Sequence, residues 1–189
     1  QEEMFTACTR VDSYAQSLFR NPPYKVLDLG SGIGANTLPM AKAGSHVTAI
    51  DQSKEFLSAL SKNSTLVSCP VENLRLRRGD IVKMESYGGP FNLVVAIDIL
   101  PYVPPKSLKS TMKKIHDCLE ERGTLIGTIF TTNDQPMVRE MMTQLGAYFY
   151  PNGVQFVSQF LKFSGFKEIE IEAREEGGFR FKAEKVACK

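Results

Sequence analysis

Apolar positions along the chain follow two rhythms that alternate. A stripe at Val11, Tyr14, Ala15, Leu18 and Phe19 has the i, i+3, i+4, i+7, i+8 spacing of a helix, which should end before Pro22. Residues 25–29 then form a short apolar strand running into Gly30-Ser-Gly-Ile-Gly34. A helix is predicted over 36–43, closed by Gly44, and a second strand over 46–51, ending on Asp51. Ser53 is placed to cap the next helix, which carries Phe56, Leu57 and Leu60, with Glu55 in its first turn. Residues 67–72 fit neither rhythm, and Pro70 predicts a break. A short third strand is expected over 74–78, before Gly79 and Asp80.

The fourth strand, 91–97, is almost continuously apolar, as strands buried on both faces are. A helix follows over 105–119, with Gly123 expected just after its end, and a fifth strand over 124–130. An irregular stretch and a helix near 154–163 lead to two alternating runs, 166–171 and 179–186. Glu175-Glu-Gly-Gly178 between them is a hairpin signal. Five alternations of strand and helix closed by a hairpin predict a doubly wound α/β sheet with an antiparallel edge. The length, 189 residues, suits a single domain spanning 1–189. The first residue is Gln rather than Met, so the chain is expected to be a piece cut from something longer or a processed product.

Composition narrows the chemistry. Lys and Arg total 23 against 21 Asp and Glu, a net charge of +2, which gives a nucleic-acid partner no electrostatic support. The basic clusters at Arg75, Arg77 and Arg78 and at Lys106, Lys109, Lys113 and Lys114 read as solvated faces. The longest apolar stretch, 91–103, is too short for a bilayer span and contains Asn92 and Asp98; no signal peptide is evident. Cys8, Cys69, Cys118 and Cys188 are widely scattered, and the only histidines are His46 and His116, so no metal site is expected. Such cysteines suit reduced thiols in a cytoplasmic, reducing compartment. His116 lies mid-pattern in its helix and is expected to pack rather than react.

The candidate chemistry lies where strands end, because doubly wound sheets bind ligands at their carboxyl edge. Three acids stand at or just after strand ends, Asp51, Asp80 and Asp98, and the glycine loop stands at a fourth. Glycines at 30, 32 and 34 let backbone approach a ligand closely. Gly30, Gly32 and Ala35 fit the dinucleotide fingerprint, and Asp51 lies 21 residues after Gly30, near the ~20 expected of a ribose-binding acid. Glycine spacing alone therefore leaves a nucleotide-binding oxidoreductase open. Against it, the chain has no room for a second domain, and Asp28 precedes the loop, where a carboxylate repels a pyrophosphate and welcomes an ammonium group. Gly79-Asp80 supplies a polar end suited to an adenine amino group.

Val26-Leu-Asp-Leu-Gly-Ser-Gly-Ile-Gly34, Val47-Thr-Ala-Ile-Asp51, Arg78-Gly-Asp80, Phe91-Asn-Leu-Val-Val-Ala96 and Gly123-Thr-Leu-Ile126 occur in that order. Together they resemble the motifs of class I S-adenosylmethionine-dependent methyltransferases. The likeness covers residues 20–130 closely and 163–186 loosely, and the compact length resembles small-molecule members of the tellurite-resistance and thiopurine-like groups. It implies a mostly parallel, seven-stranded Rossmann-like sheet with an antiparallel C-terminal hairpin. It also implies S-adenosylmethionine as cofactor, S-adenosylhomocysteine as product and a small-molecule acceptor. By that resemblance Asp28, Gly30, Ser31, Gly32, Gly34, Asp51, Gln52, Asp80, Ile81, Ile97 and Asp98 would hold the cofactor. Tyr102 would face the acceptor, either orienting or deprotonating it or simply packing beside the cofactor. The first 20 residues form a candidate lid, and 131–155, with Met137, Met141, Met142, Tyr148, Phe149 and Tyr150, a candidate recognition segment. A cofactor-binding module without turnover is the rival reading.

Two further motifs point away from base methylation. Asn21-Pro-Pro-Tyr24 spells an amino-group methyltransferase motif but precedes the first strand, so it reads as a strand entry. Leu100-Pro-Tyr102 partly resembles the RNA adenine dimethyltransferase motif, but Ile99 stands where that motif has Asn. The Lys-Asp-Lys-Glu tetrad of cap ribose methyltransferases is also missing, since no Lys closes the fifth strand.

Overall fold

A computed structural model describes residues 24–129, 140, 143–144, 146–148, 153–174 and 178–186. The helix predicted over 11–19 and most of 131–155 lie outside the described residues. Seven strands form a sheet of order β3-β2-β1-β4-β5-β7-β6, mostly parallel with an antiparallel C-terminal hairpin, as the motif order implied. The chain divides into two compact units, Gln1–Lys83 and Met84–Lys189.

In the first unit, β1 (Lys25–Leu29) pairs in parallel with β2 (His46–Asp51), from Lys25 opposite His46 to Leu29 opposite Ile50. Strand β3 (Leu74–Arg78) continues the parallel ladder, with Asp51 opposite Arg78. Val26, Leu27 and Leu29 are fully buried, as expected of a central strand covered on both faces. Helix α1 (Thr37–Lys42) buries Thr37, Leu38, Met40 and Ala41. Helix α2 (Lys54–Leu66) starts as predicted, the Ser53 hydroxyl accepting the Phe56 amide at 3.1 Å, and it buries Leu57 and Leu60. The ambiguous stretch resolves into a 3₁₀ turn, Val71–Asn73, whose Asn73 side chain donates to the carbonyl of Ala41.

In the second unit, β4 (Phe91–Ile97) has the predicted bounds and runs parallel to β5 (Leu119–Ile129). Helix α3 (Pro105–Cys118) turns a stripe of Leu108, Met112 and Ile115 inward. Its end and the start of β5 differ from expectation. The helix stops at Cys118, Leu119 is already extended and opposite Phe91, and the register slips before Leu93 meets Thr124. Gly123 therefore sits within an irregular strand rather than after a helix, with Arg122 beside it at φ +63°. Lys185 meets this junction: its ammonium donates to the carbonyls of His116 and Leu119, placing positive charge at the negative end of the helix. Helix α4 (Gly153–Phe163) precedes β6 (Phe166–Ala173) and β7 (Phe179–Lys185), the latter antiparallel to both β6 and β5. No helix separates β3 from β4 among the described residues, so the regular alternation expected from the sequence breaks there.

Gly34 couples the glycine loop to this packing. It sits at φ +100°, and a Cβ there would lie 2.9 Å from Leu60 Cγ and 3.1 Å from Leu38 Cγ. The close approach of both helices requires the missing side chain. Gly34→Ala is expected to cost about 1–3 kcal/mol through strain and overpacking, seen as a lower urea midpoint with an unchanged denaturant slope.

Candidate functional site

The first unit builds its loop by pinning backbone amides. The amides of Gly30 and Ser31 both donate to the carbonyl of Ile50, at 2.8 and 3.1 Å. The Gly32 amide donates to Asp51 Oδ2 at 2.9 Å, and the Gly34 amide to the carbonyl of Ser31 at 3.0 Å. The side chain of Asn63 on α2 donates to the carbonyl of Ile33 at 3.1 Å. A dinucleotide loop presents amides to a pyrophosphate; here four of them are held by the protein.

Asp51 is the centre of this arrangement. Its second oxygen accepts the Ser53 amide at 2.8 Å, so one carboxylate joins the glycine loop to the start of α2. Each oxygen still has a lone pair for a ligand hydroxyl. The loop also leaves room for a ligand. A Cβ on Gly32 would meet nothing within 4 Å, and the buried Ser31 hydroxyl has no hydrogen-bond partner among the described residues.

Asp28 is 1% exposed, and its Oδ2 accepts the Thr37 hydroxyl at 2.5 Å. Burial, and then the charge of Asp51, push its carboxyl up to about 7, and the Thr37 bond offsets part of that rise. Asp28 thus meets the loop as a buried, titrating charge rather than as an exposed ligand. Asp80 makes a tight turn, its Oδ1 accepting the Val82 amide at 2.9 Å and its Oδ2 lying 3.5 Å from Lys83. Ile81 beside it is buried. Gln52 is exposed, and its carbonyl accepts from the Arg78 guanidinium.

The remaining candidates belong to the second unit. Asp98 follows Ile97 in a left-handed conformation, φ +50°. Thr128 Oγ1 accepts the Asp98 amide at 3.0 Å and donates to Asp98 Oδ1 at 2.7 Å, and Arg174 Nη1 lies 3.3 Å from the same oxygen. Tyr102 ends the 3₁₀ turn Leu100–Tyr102 and is 38% exposed. Partial burial, and then the Asp98 charge, raise its phenol above the usual value, so it is protonated at neutral pH. It can donate a hydrogen bond but is a poor base.

Thr37, Asn63, Thr128 and Arg174 carried no sequence signal; each is identified only by the partner it reaches. His116 packs edge-on to Phe166 at 5.2 Å, with its imidazole pKa lowered by burial and by Lys185, which is the packing role expected. Cys69 and Cys118 are buried thiols. No helix among the described residues is long and apolar enough to cross a membrane.

The fold and this loop define a class of cofactor-binding α/β domains. Within it, the chain belongs to the methyltransferase-domain family, which matches residues 26–123, more than half of the sequence. It is similar to the ubiquinone biosynthesis O-methyltransferase of Actinobacillus pleuropneumoniae serotype 7 (strain AP76), at 28% identity over 145 residues, covering 73% of this chain and 59% of that protein. The chain thus spans about six-tenths of the length of that relative. Magnesium protoporphyrin IX methyltransferase from Synechocystis PCC 6803, solved with bound SAH, shares the fold at TM-score 0.72 and 18% identity, covering 97% of this chain and 84% of that one. Phosphoethanolamine N-methyltransferase 2 from Haemonchus contortus, solved with S-adenosyl-L-methionine, shares it at TM-score 0.76 and 14% identity, covering 93% and 52%. The finer likeness to tellurite-resistance and thiopurine-like members has no counterpart in these relatives.

The buried acid gives a stability test. With a folded pKa near 7 and an unfolded value near 3.8, Asp28 keeps its proton in the folded state where the unfolded chain has lost it. Its contribution to stability is full below about pH 4, is lost as pH rises toward 7, and is constant above. Asp28→Asn retains an acceptor for Thr37. Relative to this variant, the parent should lose a few kcal/mol between pH 4 and pH 7, read from urea midpoints at pH 4, 5.5 and 8.

Proposed function

We propose that this chain is an S-adenosylmethionine-dependent methyltransferase domain acting on a hydroxyl of a small-molecule acceptor. The observation carrying the cofactor class is the pinned loop. Four of its amides are engaged by the protein, the space beside Gly32 is open, and the charges beside it are carboxylates. A cationic sulfonium cofactor with an ammonium group and ribose hydroxyls fits that set better than a pyrophosphate does. Asp51 would accept the ribose hydroxyls, Asp80 and Ile81 would meet the adenine, and Gly30, Ser31, Gly32, Gly34 and Gln52 would line the loop, with Asp28 supplying negative potential from beneath. Ile97 and Asp98 are assigned to the cofactor by family resemblance. The O-methyl reading is supported by the curated relative's name.

The chemistry asks little of the protein. When bound, the sulfonium cofactor would supply an activated methyl group for in-line displacement by the acceptor oxygen, with a thioether as the leaving group and the acceptor proton passing to solvent. Positive charge is lost, so alignment of nucleophile, carbon and sulfur contributes most of the acceleration. Tyr102, protonated, would orient the acceptor oxygen. The first 20 residues and 131–155 are proposed to frame the acceptor, and buried thiols suit a cytoplasmic setting.

Calorimetry with S-adenosylhomocysteine and with NAD tests the cofactor class. Binding of the first and not of the second is expected; the reverse outcome would establish the dinucleotide reading. Asp51→Ala should weaken S-adenosylhomocysteine binding at least tenfold, since charge-assisted bonds contribute about 1.5–3 kcal/mol each. Gly32→Val should abolish binding in a folded protein, because the side chain fills the open space at a φ of +54°. With 3,4-dihydroxybenzoate as a simple catechol probe, methyl transfer is followed by mass spectrometry. Tyr102→Phe should lower kcat by roughly tenfold, the worth of one orienting hydrogen bond of about 1–1.5 kcal/mol, with cofactor affinity unchanged; full activity would reduce Tyr102 to a wall.

A further inference from the structure

Three observations converge at the carboxyl ends of β4 and β5. Asp98 is a non-glycine residue at φ +50°, a conformation that persists where its surroundings hold it. Thr128, 2% exposed, exchanges two hydrogen bonds with it: the Asp98 amide donates to the threonine oxygen, and the threonine hydroxyl donates to the Asp98 carboxylate. Arg174, just past the end of β6, reaches the same carboxylate from 76 residues further along the chain, at 3.3 and 3.5 Å from its two oxygens.

The turn bearing Tyr102 starts directly after Asp98. Its amides close on the residues behind them, Tyr102 on the carbonyl of Ile99 and Val103 on that of Leu100, both at 3.0 Å. The far side is tied by the Tyr148 amide, which donates to the carbonyl of Pro101 at 2.6 Å. Asp98 stands between β4 and this turn, and both its amide and its carboxylate are held by residues from elsewhere in the chain. A hydroxyl of β5 and a guanidinium just past β6 thus meet at the residue from which the Tyr102 turn departs.

We propose that Thr128 and Arg174 are positioning residues: they hold Asp98 left-handed and so fix the turn that presents Tyr102 to the acceptor. This rests on the methyltransferase reading for its consequence, though the holding itself does not. Methyl transfer depends on alignment within a fraction of an ångström, so loosening the turn acts on turnover more than on cofactor affinity.

The test compares Thr128→Val, which keeps the shape and removes the hydroxyl, with Thr128→Ser, which keeps the hydroxyl, and with Arg174→Met. Amide hydrogen exchange of a peptide covering 99–103 is read by mass spectrometry, beside a control peptide from β1. Thr128→Val and Arg174→Met should exchange at least tenfold faster at 99–103, with the β1 peptide unchanged, and Thr128→Ser should exchange like the parent. On 3,4-dihydroxybenzoate the first two should lose at least tenfold in kcat with the cofactor KM within about threefold, and the serine variant should be restored. Unchanged exchange in the valine and methionine variants, or equal acceleration in the serine variant, would overturn the proposal. If the parent itself fails to bind S-adenosylhomocysteine, the methyltransferase reading falls while the exchange result still decides whether the clasp holds the turn.

Discussion

One carboxylate organises the first unit. Asp51 ends β2, and its two oxygens bind the amides of Gly32 and Ser53, one in the glycine loop and one at the start of α2. A loop carrying three glycines would otherwise lose much conformational freedom to reach a single shape. With the Asp51 bond, the Ile50 carbonyl bonds and the Asn63 bond in place, it is fixed by strand, helix and side chain together. The bonds that shape the loop engage four of its amides, so a structural need also bears on which ligand chemistry the loop suits.

The second unit solves a comparable problem with different residues. Where β2 ends on an acid that captures a neighbouring loop's amide, β4 is followed by an acid whose own amide is captured by Thr128 of β5. In both cases a strand-end side chain satisfies a backbone donor that a sheet ladder no longer serves. Lys185 does this for acceptors, meeting two carbonyls where α3 hands over to β5. Lys114 likewise donates to the carbonyl of Met84 while lying 5.3 Å from the ring centre of the buried Tyr87.

The electrostatics separate two carboxylates that look equivalent in sequence. Asp28 and Asp51 both lie beside the glycine loop, yet Asp28 has one hydroxyl donor and no exposure, whereas Asp51 has two amide donors and a path to solvent. Burial without amide donors raises Asp28 toward neutrality, and the nearby charge of Asp51 adds to it. A ligand bringing positive charge to the loop would favour the ionised form of Asp28, linking occupancy to protonation.

Local pattern determined most of the framework. The bounds of β1, β2 and β4 follow from apolar runs punctuated by Gly, Pro and terminal acids, because burial on two faces demands largely apolar sequence; the edge strand β3 was legible only from its position before Gly79 and Asp80. The cap at Ser53 and the candidate site acids at strand ends were legible for the same reason: each is a residue type tied to a position in an element. The start of β5 was not, since a helix stop and an irregular strand share the signal of a Gly after charged residues; the partner Phe91 and the Lys185 ammonium decided it. Nor were the bonds of Thr37, Asn63, Thr128 and Arg174 legible, which join residues 9 to 76 positions apart. Sequence by itself determined the elements, their order and the acids at their ends. Tertiary structure alone decided which donors those acids meet, one hydroxyl for Asp28 and two backbone amides for Asp51, because a side chain's partners depend on where distant strands bring them.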